Sequence, residues 1–311
     1  MKNPESKELI SIGMPAYNGE KNIKQAISSL LNQTYTHFEL IISDDASNDK
    51  TETLCENYLS KDKRIKYIRQ RKNLGFANNF NYVLNQAKGK YFVWAAQDDY
   101  WDKSFLEKLA NLLKKNKDAV LAVSRFANVG ASTLIRHKKL AFLNSSSRLD
   151  TLLYFIKTGE LSFFYGLHRT EVLKKIGGYQ IDSRPFFKSS DYLTILRVLL
   201  RGKMVKTDDV LFFKRDTGYH FRRFEILKNL TFDKKILKVI LRYACFPIFF
   251  AFNLVYSIFY TLKSEFNTIE KIKLIFYISF AFIRRNLEYV SSILVGFIYL
   301  IKGSGKKLFN L

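Results

Sequence analysis

The chain has 311 residues, long enough for one large domain with an appendage, and its 47% hydrophobic share is that of an ordinary globular protein. Lys and Arg outnumber Asp and Glu by 51 to 28, a net charge of +23, so anionic partners are expected: nucleotide, acidic lipid or nucleic acid. The excess is spread along the chain, with +8 of it from Phe224 onward; there is no basic block or recognition motif, which argues against nucleic acid. Two distant cysteines, Cys55 and Cys245, and four scattered histidines argue against a disulfide framework or a zinc cluster. The start, Met1–Glu8, is polar and unlike a signal peptide, so the main domain is expected in the cytoplasm.

Along the first 125 residues short apolar runs alternate with helical patterns, the signature of repeated βα units and a mainly parallel sheet. Strands are predicted at Leu9–Met14, Phe38–Ser43, Ile65–Ile68, Tyr91–Ala96 and Val120–Ser124. Helices are predicted at about Glu20–Asn32, from Asn48 or Asp49 to Leu59, at Phe76–Ala87 and at Lys103–Lys115. From Phe126 to Ser162 weak periodicity predicts loops around a short helix at Leu149–Lys157. Phe163–His168 reads as a strand, Thr170–Ile176 as a short helix stopped by Gly177-Gly178, Tyr192–Leu200 as a helix and Met204–Arg215 as a strand.

From Phe224 the texture changes. Tyr243–Leu262 carries no charge over 20 residues, just enough to span about 30 Å of hydrocarbon. Leu274–Ile283 and Val290–Ile301 are too short to span alone. Their aromatic content and basic flanks suit helices lying in a membrane interface, and a buried helical subdomain is the alternative.

In open α/β sheets ligands bind beyond the carboxyl ends of strands, which is where Tyr17, Asp44 and Asp98-Asp99 fall. The first strand leads into Pro15-Ala16-Tyr17-Asn18-Gly19, not Gly-x-Gly-x-x-Gly, which rejects a dinucleotide-binding dehydrogenase. Adjacent carboxylates at a strand end, as at Asp98-Asp99, suit a hard divalent ion such as Mg²⁺ or Mn²⁺ that also meets phosphate, although such a pair alone also suits a solvated turn.

Four segments in order make residues 9 to about 216 resemble the inverting, family-two nucleotide-diphospho-sugar glycosyltransferases of GT-A fold. Met14-Pro15-Ala16-Tyr17-Asn18 resembles the opening strand end that packs against the base, which implies nucleotide contacts at Pro15, Ala16, Tyr17 and Asn18. Ser43-Asp44-Asp45-Ala46-Ser47-Asn48-Asp49 resembles the Asp-Asp-x-Ser-x-Asp segment, which implies that Asp44 meets uracil or ribose. Asn73-Leu74-Gly75, with Arg71 before it, resembles the loop that closes around the nucleotide. Gln97-Asp98-Asp99-Tyr100-Trp101 resembles the Asp-x-Asp region, which implies a metal on Asp99 and Asp98, with Asp98 also at the ribose. Many relatives carry a further acid where this chain has Ala96, leaving two carboxylates for the ion. Ser190-Asp191-Tyr192-Leu193 occupies the place of the family's base, where a Glu often stands at Ser190, so Asp191 is the implied general base. Weaker analogies put His220 near the metal or phosphates, His168 on the acceptor side, and Tyr100 and Trp101 against a sugar face.

The resemblance implies a GT-A catalytic domain over 1–223, with a donor half at about 1–125 and an acceptor half at about 126–223. Residues 224–311 follow as a helical, membrane-associated region. The implied activity moves a sugar from a nucleotide diphosphate, UDP first, to a lipid-linked or cell-surface glycan at the cytoplasmic membrane face, with anionic lipid as a further partner. A polyprenyl-phosphate glycosyltransferase is the rival, and a non-catalytic scaffold that kept the fold is the third reading. Sugar, linkage and oligomeric state stay open.

Overall fold

The computed structural model describes residues 7–130, 136–137, 144–179, 191–215 and 254–301, of which 136–137 and 285–301 are described through their backbone. The chain forms two compact units, Met1–Leu230 and Thr231–Leu311.

The first unit is built on a nine-stranded sheet. Four strands, β1 (Ile10–Ala16), β2 (Phe38–Asp44), β3 (Ile65–Arg69) and β4 (Tyr91–Trp94), run parallel in the order β3-β2-β1-β4. β1 and β4 are buried at every position, the pattern of strands covered on both faces. Their connections are α1 (Ile23–Leu31), α2 (Thr51–Leu59) and α3 (Phe76–Gln86). Because the chain builds outward from β1 to β3 and then returns to the other side of β1, the strand order switches between β1 and β4. That is where a crevice opens at the carboxyl ends.

Beyond β4 the sheet becomes mixed. β5 (Tyr100–Trp101) is followed by α4 (Phe105–Lys115) and β6 (Ala119–Val129). α4 buries Phe105, Leu106, Leu109, Ala110 and Leu113 on one stripe, with Glu107 in its first turn and Lys114-Lys115 in its last, complementing the helix dipole. A two-residue β7 (Arg136–His137) pairs with β6. α5 (Arg148–Thr158) opens with a Ser147/Asp150 capping box and closes on left-handed Gly159. A 3₁₀ turn, Leu161–Tyr165, leads to β8 (Leu167–Arg169), α6 (Thr170–Lys175), α7 (Asp191–Leu199) and β9 (Lys203–Arg215). The sheet order is completed as β4-β8-β6-β9-β5, with β8 antiparallel to both neighbours and β9 parallel to β6.

Three elements differ from the sequence expectation. The strand expected at Phe163–His168 is a 3₁₀ turn and a three-residue strand, because Glu160 caps the turn at Ser162 and Gly166 lies against the backbone of β6. The loop expected from Phe126 is strand as far as Val129, held by pairing of Val129 with Arg215. Tyr100–Trp101, outside every element expected from the sequence, forms β5 by pairing with Phe212 and Phe213.

In the second unit residues 254–262 are helical, and α8 (Thr268–Ile301) runs unbroken through 34 residues. The two short apolar runs expected near 274 and 290 are thus one helix. Tyr243–Asn253, most of the longest apolar run, lies outside the described residues. Among the described residues no helix is long and apolar enough to cross a membrane. Arg284-Arg285 interrupts the apolar sequence of α8 near its middle.

Candidate active site

The crevice between β1 and β4 is stitched across by Gln97. Its Oε1 accepts from the Tyr17 amide at 2.9 Å and its Nε2 donates to the Tyr17 carbonyl at 2.8 Å. Gly19 leaves room for this clamp, since a Cβ there would lie 2.4 Å from the same Oε1. Asn18 and Ala46, at the ends of β1 and β2, both take positive φ (50° and 59°), a strained choice for Ala that clusters at functional loops. The Asn18 amide donates to Ser47 Oγ, and the Asn48 amide donates to Asn18 Oδ1. Pro15 and Ala16 close β1 in the buried sheet, while Tyr17 is exposed beside the crevice.

Asp44 is fully buried at the end of β2, and its carboxylate is already occupied. Oδ1 accepts from the Ser47 amide and hydroxyl at 2.9 and 2.5 Å; Oδ2 accepts from Tyr67 at 2.8 Å and Arg69 at 3.2 Å. Four donors fill the four acceptor sites of a carboxylate, so Asp44 shapes the loop and offers no open oxygen to uracil or ribose. Its neighbour Asp45 holds the expected nucleotide loop: Oδ1 accepts from the Leu74 amide at 2.6 Å and Oδ2 from the Gly75 amide at 3.1 Å. Asn73 donates to the Asp45 carbonyl, and Gly75, at φ 82°, starts α3. Arg71 is exposed on the same loop.

Asp98 and Asp99 follow β4 and are fixed from β9. The Arg215 amide donates to Asp99 Oδ1 at 2.8 Å, Arg215 Nε donates to the Asp98 carbonyl at 3.0 Å, and the Arg215 guanidinium reaches Gln25. Tyr100 stacks on Phe213 at 4.8 Å between centroids, and Arg215 lies over its ring. Asp99 is 3% exposed. Burial and then the charge of Asp98 push its pKa up to about 7, against the opposing Arg215 amide, Lys214 and Arg215. Burial also raises Asp98, whose carboxylate accepts no hydrogen bond from another described residue.

Asp191 opens α7. Burial raises its pKa, opposed first by a hydrogen bond from the Tyr179 hydroxyl (2.6 Å to Oδ1) and then by Lys214. Lys214 therefore acts electrostatically on Asp98, Asp99 and Asp191 together. Tyr165, in the 3₁₀ turn, responds to the same three acids: burial and then Asp191, Asp99 and Asp98 raise its hydroxyl well above the usual value. The two acidic segments the sequence singled out, nearly a hundred residues apart, thus converge on one neighbourhood.

Other expected residues lie elsewhere. Trp101 is buried against Phe212 and gives no face to a sugar. His168 is fully buried in the middle of the sheet, with Nε2 at 3.1 Å from the Phe164 carbonyl, Nδ1 unpartnered and its pKa held down to about 4 by burial. It is a core residue, out of reach of an acceptor. His220 lies outside the described residues. Lys214, Tyr165, Tyr179 and Asp45 were not anticipated. Lys214 arrives by the β6–β9 pairing, which leaves no local sign, and Asp45 stands beside an equally plausible Asp44.

The residues present fit a hard divalent ion in one respect. Asp98 and Asp99 supply adjacent carboxylates in a setting that resists their charge, which a cation would relieve. Among the described residues no group of three or more His, Cys, Asp or Glu could hold a metal, so further ligands would come from diphosphate or water.

Comparison with known proteins places these features in a family. The glycosyl transferase family 2 sequence model matches residues 11–177, just over half of the chain. An uncharacterized glycosyltransferase of Haemophilus influenzae is 31% identical over 193 residues, covering 60% of this chain and 58% of that protein, so the match spans under two thirds of the relative. Among solved structures, S. aureus TarS 1–349 in complex with UDP-GlcNAc aligns over 86% of this chain and 70% of its own at a TM-score of 0.64 and 20% identity. The Pyrobaculum calidifontis mannosyltransferase PcManGT, in complex with GDP-Man and Mn²⁺, aligns over 96% and 81% at a TM-score of 0.53 and 14% identity. At these identities the structural likeness establishes a GT-A-like α/β fold.

Proposed function

Because the chain belongs to glycosyl transferase family 2, we propose that it is an inverting glycosyltransferase taking a sugar from a nucleotide diphosphate, UDP first, to a hydroxyl of a lipid-linked or cell-surface glycan. The observation that carries this reading is the convergence of Asp98, Asp99 and Asp191 on Lys214 and Tyr165 at the carboxyl end of β4. Sugar transfer needs the leaving diphosphate neutralised and the acceptor hydroxyl deprotonated in line with the anomeric carbon. Asp99 and Asp98 would hold a Mg²⁺ or Mn²⁺, whose chemistry is to neutralise the diphosphate. Asp98 also meets the ribose, Tyr17 and Asn18 border the base, and the Asn73–Gly75 loop with Arg71 closes over the nucleotide. Asp191 takes the acceptor proton: Tyr179 occupies one of its oxygens, and among the described residues none donates to the other, which would meet the incoming hydroxyl.

The same reading places the protein on the cytoplasmic face of the membrane, attached through its C-terminal region. Support comes from the exposed apolar side chains of α8, Ile269, Ile272, Phe276, Phe280 and Ile283. At about 100° per residue these fall on one stripe, opposite the buried Leu274, Ile278 and Ala281. Lys273 and Arg284 border the stripe, where long basic side chains reach anionic headgroups.

The test is release of nucleotide diphosphate from a panel of UDP-, GDP- and dTDP-sugars, with Mn²⁺ and membrane lipids, by wild type and Asp191→Asn. Release by wild type, with turnover at least about 100-fold lower in the variant and nucleotide binding retained, is expected. No release from any donor overturns the enzyme reading, and full turnover by Asp191→Asn overturns the base.

A further inference from the structure

The chain around Tyr179 is built with more constraint than a helix-to-loop connection needs. α6 ends on Gly177 and Gly178, at φ 77° and 72°, and the Gly178 amide returns to the Leu173 carbonyl at 2.8 Å. A Cβ at Gly178 would lie 2.3 Å from Asn81 Oδ1, so only glycine lets the α3 side chain come this close. Asn81 uses that approach to hold both backbone groups of the next residue: the Tyr179 amide donates to Oδ1 at 2.7 Å, and Nδ2 donates to the Tyr179 carbonyl at 3.0 Å. The Tyr179 ring is then enclosed by Phe76, Phe80, Trp94 and Phe164, with centroids 5.2 to 6.5 Å away. Only 2% of the residue is exposed, yet its hydroxyl emerges from this aromatic box 2.6 Å from Asp191 Oδ1.

We infer that Tyr179 is a positioning residue for Asp191, a phenol aimed by Asn81 and four aromatic rings so that it fixes one carboxylate oxygen and favours the ionised form. The inference rests on Asp191 being the base. A buried phenol hydroxyl needs a partner, and donation to a carboxylate at this distance is a charge-assisted bond. Burial alone works against a base, because it favours the protonated acid; the Tyr179 hydrogen bond works in the opposite direction. Among the described residues, the other titratable or charged groups that act on Asp191 are Lys214 from β9, which also favours its ionised form, and Tyr165 from the 3₁₀ turn. Asn81 lies on α3, the helix whose N-terminus carries the Asn73–Gly75 loop. One helix therefore holds the nucleotide loop at its start and aims the base from its middle.

The experiment follows the protonated carboxyl of Asp191 by infrared titration of the full chain, as the difference between each protein and its Asp191→Asn counterpart. Tyr179→Phe keeps the ring and removes only the hydroxyl. The ratio of protonated to ionised Asp191 at a fixed pH should rise roughly tenfold, the order of one hydrogen bond to a charged group. Where transfer is measured, the acidic limb of kcat should move to higher pH by the same factor, with the alkaline plateau nearly kept. Asn81→Ser, which loosens the clamp and leaves the hydroxyl in place, should move the titration in the same direction by less. An unmoved titration in both variants overturns the inference, as does a uniform loss of kcat with an unmoved limb. Full turnover by Asp191→Asn, by contrast, would overturn the base assignment itself, whatever the titration of Tyr179→Phe.

Discussion

Replacing Asp99 by Asn removes a buried charge while leaving an oxygen to accept the Arg215 amide. In the metal-free protein the Asp99 pKa stands at about 7 against an ordinary 3.8, about 3 units. At about 1.36 kcal/mol per unit, the ionised folded state above pH 7 is disfavoured by up to about 4 kcal/mol. Between about pH 4 and 7 the folded protein holds a proton that the unfolded chain has lost, so this group adds stability as pH falls. His168 does the opposite. Held down to about 4 from 6.5, it leaves the unfolded chain to take up a proton the folded state refuses, and costs roughly 3 kcal/mol as pH falls through the same window. In wild type the two trends nearly cancel; in Asp99→Asn the His168 trend stands alone. Calorimetry in EDTA from pH 4 to 8.5 should give a variant-minus-wild-type Tm difference near zero at pH 4. It should grow to about 10 °C above pH 7, at roughly 2–4 °C per kcal/mol for a unit of this size. Mn²⁺ should raise the wild-type Tm at pH 8 and leave the variant unchanged. A difference that stays constant with pH, or a variant less stable at pH 8, would refute the reasoning.

Asp45→Ala frees the amides of Leu74 and Gly75, so stability should fall by about 1–3 kcal/mol in urea denaturation. The KM for donor should rise more than kcat falls; an unchanged KM would remove the loop from the nucleotide. Substituting Asp for Phe276 and Phe280 on the exposed stripe of α8 should abolish flotation with vesicles containing anionic lipid while leaving the melting curve in place, since neither ring is buried. Flotation equal to wild type would take the stripe out of the membrane reading.

The parallel half of the sheet is legible in the sequence because β1, β2 and β4 are apolar runs buried on both faces and α1 and α3 repeat an apolar stripe, so local pattern and final fold agree. The second half is not. β5 has two residues and exists only because Phe212 and Phe213 arrive to pair with it. The end of β6 opens a stretch of weak periodicity and is held as strand by pairing with Lys214 and Arg215. The site divides in the same way. Tyr17, Asp44, Asp98, Asp99 and Asp191 stand at element ends and can be picked out by position. Lys214, Tyr165 and Tyr179 reach the acids only through strand pairing and aromatic packing, and Trp101 and His168 are drawn into the core by contacts no local pattern shows.

Five acids at strand and helix ends looked alike in the sequence, and their hydrogen bonding tells them apart. Asp44 receives four donors and Asp45 two backbone amides; both spend their charge on shaping loops. Asp99 is buried and Asp98 and Asp191 are half-buried, all three with few donors among the described residues, and desolvation raises all three. A carboxylate whose acceptor sites are filled stabilises the fold and has little left for a ligand. One held in a dry setting with an open oxygen costs the fold stability, and the missing interactions can come from a cation, a sugar hydroxyl or an acceptor's proton. The filled Asp44 and the loop-holding Asp45 lie at the end of β2, and the acids raised by desolvation lie at the end of β4 and the start of α7. That division separates the frame of the crevice from its chemistry, and it predicts opposite stability effects for Asp45→Ala and Asp99→Asn.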